Sequence, residues 1–427
     1  MRFSGASITG KDFCHANKAN RFVGTLMKIA LVTTHATSEG GVPHYVASLA
    51  RALAYRHEVT VYSSKFESFD GTGVRHRQIK AIGSGGNIFD LTFLIVSTLV
   101  IWVHRLRRRE EFDIIHSHVG SPFFSDVFTS HFYEREGIAR IKTAPRDMPR
   151  DSLVRRLRSR LNARIESALL ARRKRGTWIV LSAAMKSGFI RDYPVPPESV
   201  FVVPNGVDSS RYSPDNVARY RDEVRERLSV APGVQVVLFL GGDWPRKGLA
   251  QAIEALSLLA GSQAVLLVVG SGNVTDYRNL AVRFRIEDRV IFAGQTGDGW
   301  RYYAASDVYL LPSLYEPFGL SILEAMASGL PVLVSRDSGA AELIHDGVDG
   351  LLIQEPRDVR ELSTKLGALL KDADLRIRLG RQARRTALEY PWDRVARETE
   401  EIYKTVLLQQ RGSAKEQPSW PDDNRKE

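Results

Sequence analysis

Short apolar runs alternate with stretches of helical period along most of the chain, a pattern that predicts βαβ units built on parallel sheets. In the first half the predicted strands are 27–34, 58–63, 112–117, 127–130, 177–182 and 200–203. After the first of these, Val42, Tyr45, Val46, Leu49 and Leu53 keep one face of a helix over Val42–Ala54. The second half reads more sharply. Strands are predicted at Val234–Gly241, Ala264–Gly270, Val290–Ala293, Val308–Leu311 and Pro331–Ser335. A helix over Gly248–Ala260 places Leu249, Ile253, Leu256 and Leu259 on one side, and Asp358–Gln409 is predicted to be nearly all helical.

A length of 427 residues exceeds one ordinary core and predicts two domains of roughly 150–200 residues. The turn-forming Pro204-Asn205-Gly206 inside Val203–Asp208 marks the seam. The expected division is a disordered extension over 1–26, α/β units over 27–206 and 207–390, a helix over 391–410 and a disordered polar tail over 411–427. The first 26 residues lack the apolar core of a secretory signal, and Met27 opens the first strand. The single cysteine, Cys14, cannot build a disulfide framework within the chain and fits a reducing compartment.

Charge and one apolar run raise the question of an anionic surface. The formal charge is +11, and 146–175 alone carries ten Arg and one Lys against three acids. Leu91–Val103 is uncharged over 13 residues, short of the roughly 18–20 that cross a bilayer. A buried helix is the plain reading. A helix lying in a membrane interface beside Arg105-Leu-Arg-Arg-Arg109 is the sharper one. The basic segment has no interleaved aromatic platform, which argues against nucleic acid.

Three strand-end segments carry candidate chemistry. Ser38-Glu-Gly-Gly-Val-Pro43 joins the first strand to the first helix, where adjacent glycines let amides approach an anion. Gly241–Gly248 brings Arg246 and Lys247 to the start of a helix after a buried strand, a cradle for a diphosphate. The most informative is Ser313–Val332. Glu316 sits in a loop after a strand, Gly319 opens a helix, and Glu324 lies about one and a half turns in. Amides of Phe318, Gly319 and Leu320 at the helix start can bind oxygens of a ligand. Two carboxylates beside a phosphate site need hydroxyl donors, so the combination points to a sugar nucleotide. His116, His118 and His131 end two neighbouring strands. His118 and His131 are candidates for contact with substrate hydroxyls, while metal spacing with a third ligand is not visible.

These segments, with Val203–Asp208, stand in an order that resembles the GT-B-fold retaining glycosyltransferases of family 4, from about residue 27 to 405. The short first domain and the Arg-Lys-Gly form of the phosphate loop are most similar to lipopolysaccharide-core glycosyltransferases. The resemblance implies two Rossmann-like domains facing across a cleft, an acceptor domain first and a nucleotide-sugar donor domain second. It also implies a terminal helix near Pro391-Trp392 that crosses back. Arg246 and Lys247 would bind the donor diphosphate, with Lys247, Glu316 and His131 as the catalytic set. Glu316 would meet the transferred sugar, Phe318–Leu320 amides the phosphate and sugar, Glu324 the ribose, and Gly41 the β-phosphate from the other domain. Where many members carry an Arg after the loop glycine, Asp243 follows Gly242 here, so the positive role falls to Arg246 with Lys247.

The expected reaction is hexose transfer from a UDP- or GDP-type donor to a lipid-linked or cell-surface glycan at the cytoplasmic face of a membrane, with 91–109 and 146–175 toward anionic lipid. No Asp-x-Asp signature falls in a suitable loop, so no metal or other cofactor is expected. The backbone of Gly294–Gly297 is a candidate contact for the base. The alternatives are a same-fold epimerase, a phosphorylase (for which no pyridoxal lysine stands out) and a basic nucleic-acid-binding protein.

Overall fold

The computed structural model describes residues 26–37, 40–67, 71–83, 87–106, 112–118, 124–132, 164 and 176–415. The 1–26 extension, apart from Leu26, and Ser38 and Glu39 lie outside the described residues. So do Arg107–Arg109 and nearly all of the basic 146–175 segment.

In the first half the strands are β1 (Lys28–Val32), β2 (His35–Ala36), β3 (Glu58–Ser63), β4 (Lys65–Phe66) and β5 (Arg75–Gln78). They are followed by β6 (Ile114–Ser117), β7 (Val127–Thr129), β8 (Thr177–Val180) and β9 (Val200–Val202). Seven of them form a parallel sheet in the order β5-β3-β1-β6-β7-β8-β9. The second half holds β10 (Val236–Leu240), β11 (Val265–Val269), β12 (Val290–Gly294), β13 (Val308–Leu311), β14 (Val332–Ser335) and β15 (Leu351–Ile353). Their parallel order is β12-β11-β10-β13-β14-β15. Strands such as β10, β11 and β13 are buried at nearly every position, because helices cover both faces of a parallel sheet.

Each sheet changes winding direction beside its first strand, between β1 and β6 and between β10 and β13. Loops that leave the carboxyl ends of such a pair diverge and open a crevice. In the second half the diverging loops are Gly241–Gly248 and Pro312–Gly319; in the first they are those holding Gly41 and His118. The topology therefore places the sequence-selected segments at the mouths of both sheets.

The chain crosses between the halves at 203–208 and returns at 391. Val207 N–H donates to the Tyr390 carbonyl at 2.8 Å, and a side chain on Gly206 would lie 2.9 Å from the Trp392 backbone. The helix Trp392–Lys415 then packs back on the first half. Arg56 pairs with Asp393 at 2.7 Å and Glu400 at 3.2 Å, and the Tyr403 hydroxyl meets His116 Nδ1 at 2.7 Å.

Three expectations are corrected. The tail was expected from 411, but the backbone stays helical through Lys415, since extending a formed helix costs far less than starting one. The helix expected over Gly248–Ala260 runs only over Leu249–Ser257, and a separate helical turn, Trp244–Lys247, precedes it, because Gly248 adopts φ +80° and turns the chain between them. The run Leu91–Val103 belongs to a helix Asn87–Leu106 that is not simply buried: Phe89, Phe93 and Ile101 face inward while Ile88, Leu91, Ile95, Leu99 and Trp102 are exposed.

Candidate active site

The two loops at the β10–β13 crevice are locked together before any ligand is considered. Leu314 N–H donates to the Arg246 carbonyl at 2.8 Å, and Arg246 Nη1 donates to the Tyr315 carbonyl at 2.7 Å. A side chain on Gly248 would come within 2.1 Å of the Pro312 carbonyl, so only glycine permits this approach. Gly241 serves differently. Its missing side chain leaves the path taken by the Lys247 stem, whose Cε lies 2.8 Å from where a Cβ would stand.

That path delivers Lys247 Nζ to Glu316 Oε2 at 2.6 Å; Arg246 Nη1 reaches the same oxygen at 3.2 Å, while its Nε holds Asp243 at 2.7 Å. All three members of the Lys247–Glu316–Arg246 cluster are nearly covered. Burial would raise the Glu316 carboxyl, but the two cations outweigh it and hold its pKa below the ordinary range. The cluster is an ionised carboxylate with two cations at a crevice mouth. It can exchange partners with an anionic ligand without creating a naked charge.

Gly319 takes φ +92° before the helix Leu320–Ala327, and a Cβ there would strike the Ile322 side chain at 2.7 Å. The Phe318 side chain is core, so only its backbone is offered to a ligand. Glu324, on that helix, accepts from the Tyr303 hydroxyl at 2.8 Å, and the Tyr212 phenol also acts to favour its charged form. Burial dominates here and raises its pKa, against the lowering effect of the two tyrosines. The two glutamates thus have opposite environments, one pressed by cations and one held by phenols.

In the first half, His116, His118 and His131 form a buried column beside Tyr45. His118 Nδ1 meets His131 Nε2 at 3.0 Å; His116 uses both nitrogens, on Tyr403 and on Thr129 at 2.7 Å each. Burial pushes His116 and His131 down to about 3 and His118 well below its usual value. At neutral pH these are uncharged imidazoles. His131 can therefore exchange one hydrogen bond with a substrate hydroxyl but cannot serve as a protonated acid. Among the described residues, no group of three or more His, Cys, Asp or Glu is placed to hold a metal ion. Gly41 starts the helix Gly41–Ala54 with open space where a side chain would be.

Sequence reasoning missed Tyr303 and Tyr212, which hold Glu324, and Phe132, whose ring lies 5.5 Å from Tyr315 and 5.7 Å from the Arg246 guanidinium carbon. Tyrosines brought together from separate elements carry no local spacing signal. Phe132 could have been noticed as the neighbour of His131.

Two Rossmann-like halves mouth to mouth, tied by a terminal helix that crosses back, form the GT-B architecture of glycosyltransferases. Residues 39–211 match the family described as Glycosyltransferase Family 4, and 220–386 match Glycosyl transferases group 1. The D-inositol 3-phosphate glycosyltransferase of Salinispora tropica is 30% identical over 414 residues, covering 87% of this chain and 82% of that one. The chain belongs to glycosyltransferase family 4 and is a glycosyltransferase. An uncharacterized glycosyltransferase of Methanocaldococcus jannaschii is also 30% identical, over 54% of this chain, which spans only 60% of that relative's length. Among solved structures, WaaG, a glycosyltransferase involved in lipopolysaccharide biosynthesis, superposes with a TM-score of 0.71 at 24% identity over 88% of this chain and 99% of its own. Anabaena HepE in complex with UDP-glucose does so at 0.67 and 21%, over 89% and 100%.

Proposed function

We propose that this protein is a retaining hexosyltransferase that uses a UDP- or GDP-type donor and a lipid-linked or cell-surface glycan acceptor. The observation that carries the reading is the Lys247–Glu316–Arg246 cluster at the second-half crevice. Lys247, steadied by Arg246, turns to the donor diphosphate; Glu316 then accepts from hydroxyls of the sugar. The Phe318–Leu320 backbone meets phosphate and sugar oxygens, Glu324 the ribose, and Gly41 admits the β-phosphate from the first half. The UDP-glucose held by Anabaena HepE on the same fold supports a nucleotide-sugar donor.

In the transfer step the acceptor oxygen bonds to the anomeric carbon as the carbon–oxygen bond to the diphosphate breaks. The bonding pair leaves with the diphosphate, which takes the acceptor proton on the same face of the sugar. Lys247 and Arg246 stabilise the charge that develops on the leaving group. Glu316 is bound to cations and Glu324 to tyrosines, which disfavours a glutamyl–sugar intermediate. His131, neutral, would orient a hydroxyl, with His118 behind it. No metal enters this scheme, so EDTA should leave the rate unchanged.

The acceptor side would lie on a membrane. No helix among the described residues is long and apolar enough to cross one. The helix Asn87–Leu106 instead exposes Ile88, Leu91, Ile95, Leu99 and Trp102, each 47–70% accessible, at spacings that make one stripe. Arg105 and Arg107–Arg109 follow at once in the sequence, which supports docking on anionic lipid at the cytoplasmic face. Flotation with anionic vesicles should carry the wild type and lose Leu91→Glu/Leu99→Glu; equal recovery would remove the membrane claim.

A thermal-shift screen with UDP, GDP, ADP and their sugars, followed by transfer assays, tests the donor. Lys247→Met should reduce transfer about 100- to 1000-fold. Wild-type rates in Lys247→Met, or release of a sugar isomer without any acceptor, would replace the transferase site assignment by another.

A further inference from the structure

The helix Ala183–Asp192 in the first half begins with amides that have no partner within the helix. Met185 N–H is taken by Ser182 Oγ at 3.1 Å, an ordinary local cap. The other two partners are unusual. Ala183 N–H donates to Glu342 Oε2 at 2.8 Å and Ala184 N–H to Glu342 Oε1 at 2.7 Å, so a carboxylate from the second half grips the first-half helix with both oxygens. An anion at a helix start also meets the positive end of the peptide dipoles.

Glu342 stands on the short helical turn Gly339–Leu343, and that turn braces the loop of the sugar-site glutamate. Gly339 N–H donates to the Glu316 carbonyl at 2.9 Å and Ala340 N–H to the Phe318 carbonyl at 2.7 Å. A side chain on Gly339 would strike the Pro317 carbonyl at 2.1 Å, so turn and loop are in direct backbone contact. The first half reaches the same loop at two more points. Ser182 Oγ donates to the Pro317 carbonyl at 3.3 Å, and the Phe132 ring meets Tyr315.

We infer that Glu342 is a positioning residue for transfer: its two-oxygen grip on the Ala183–Asp192 helix sets the two halves against each other and, through Gly339–Leu343, fixes the backbone that aims Glu316. The inference rests on the assignment of Glu316 to the transferred sugar. The side chains that hold the donor belong to the second half, and Gly41 of the first only leaves room for the β-phosphate, so nucleotide binding depends little on the grip. The chemical step needs the first half seated, and so depends on it.

The test compares Glu342→Ala and Glu342→Asp with Asp358→Ala in the full-length protein. Asp358 caps the helix Val359–Lys371 through the amides of Arg360 and Glu361, entirely within the second half, and its loss matches a cap removal without touching the interface. Glu342→Ala should keep the dissociation constant for UDP or GDP within about twofold, lower kcat at least tenfold, and give a larger radius of gyration by small-angle scattering with nucleotide bound. Glu342→Asp should recover part of kcat, because two oxygens remain. Asp358→Ala should lower thermal stability and leave kcat and radius near wild type. Unchanged kcat in Glu342→Ala, equal loss of kcat in Asp358→Ala, or an unchanged radius would each overturn the inference. If Glu316→Gln retains full transfer, the sugar-site reading fails instead, and the radius measurement still judges the grip.

Discussion

Glu316→Gln should separate donor-diphosphate binding from transfer, in opposite directions. Glu316 engages Lys247 at 2.6 Å and Arg246 at 3.2 Å. At an effective dielectric of about 20 these contacts correspond to gross attractions of about 6 and 5 kcal/mol. Most of that is offset by the desolvation of three charges. An incoming diphosphate must draw Lys247 away while a carboxylate stays close by. Glutamine has the same shape without the charge. Arg246 keeps Asp243 and the Tyr315 carbonyl, but Lys247 loses its carboxylate, which costs the ligand-free state about 3 kcal/mol. Part of that loss is recovered when diphosphate binds. UDP or GDP should therefore bind about tenfold tighter, roughly 1.4 kcal/mol, by calorimetry. Nucleotide should also raise the melting temperature by about 1–2 °C more than in wild type. Transfer should fall about 10- to 100-fold, because hydroxyls of the sugar lose a charged acceptor worth about 1.5–3 kcal/mol. Parallel loss of nucleotide affinity and transfer would refute the reasoning and make Glu316 a part of the pocket wall.

Three further outcomes follow from the same geometry. Gly248→Ala should destabilise the protein by more than about 2 kcal/mol in chemical denaturation, since it combines positive φ with a backbone clash, whereas Gly233→Ala, at φ +79° with nothing nearby, should cost only about 1 kcal/mol; equal costs would contradict the contact with Pro312. Tyr303→Phe removes a donor from buried Glu324 and should cost about 1–3 kcal/mol in stability and weaken nucleoside-diphosphate binding; unchanged affinity would detach Glu324 from the nucleotide. Because His116, His118 and His131 have pKa values below that of an unfolded histidine, their contribution is fully present above about pH 6.5 and is lost as pH falls toward 3, by up to about 1.4 kcal/mol per pH unit for each histidine. His116→Gln should flatten the acid limb of a melting-temperature profile, and a profile already flat between pH 6 and 4 would show that the column is hydrated.

The apolar runs determined the parallel α/β class by themselves, because strands buried on both faces leave unbroken Val, Ile and Leu sequences that no loop would tolerate. They did not reveal Arg75–Gln78, an edge strand of four polar residues held only by its pairing with β3. The glycines and charges at strand ends likewise located Glu316, Glu324, Arg246 and Lys247, since a turn at the mouth of a sheet demands residue types that stand out locally. What joins those groups is not local. Lys247 meets Glu316 across 69 positions, Tyr303 meets Glu324 across 21, and Ala183 meets Glu342 across 159. Those pairings depend on the β10–β13 crevice and on the seating of one half against the other. The sequence specifies which side chains are present at each strand end. Only the packed sheets decide that two cations converge on one carboxylate, and that a glutamate of the second half caps a helix of the first.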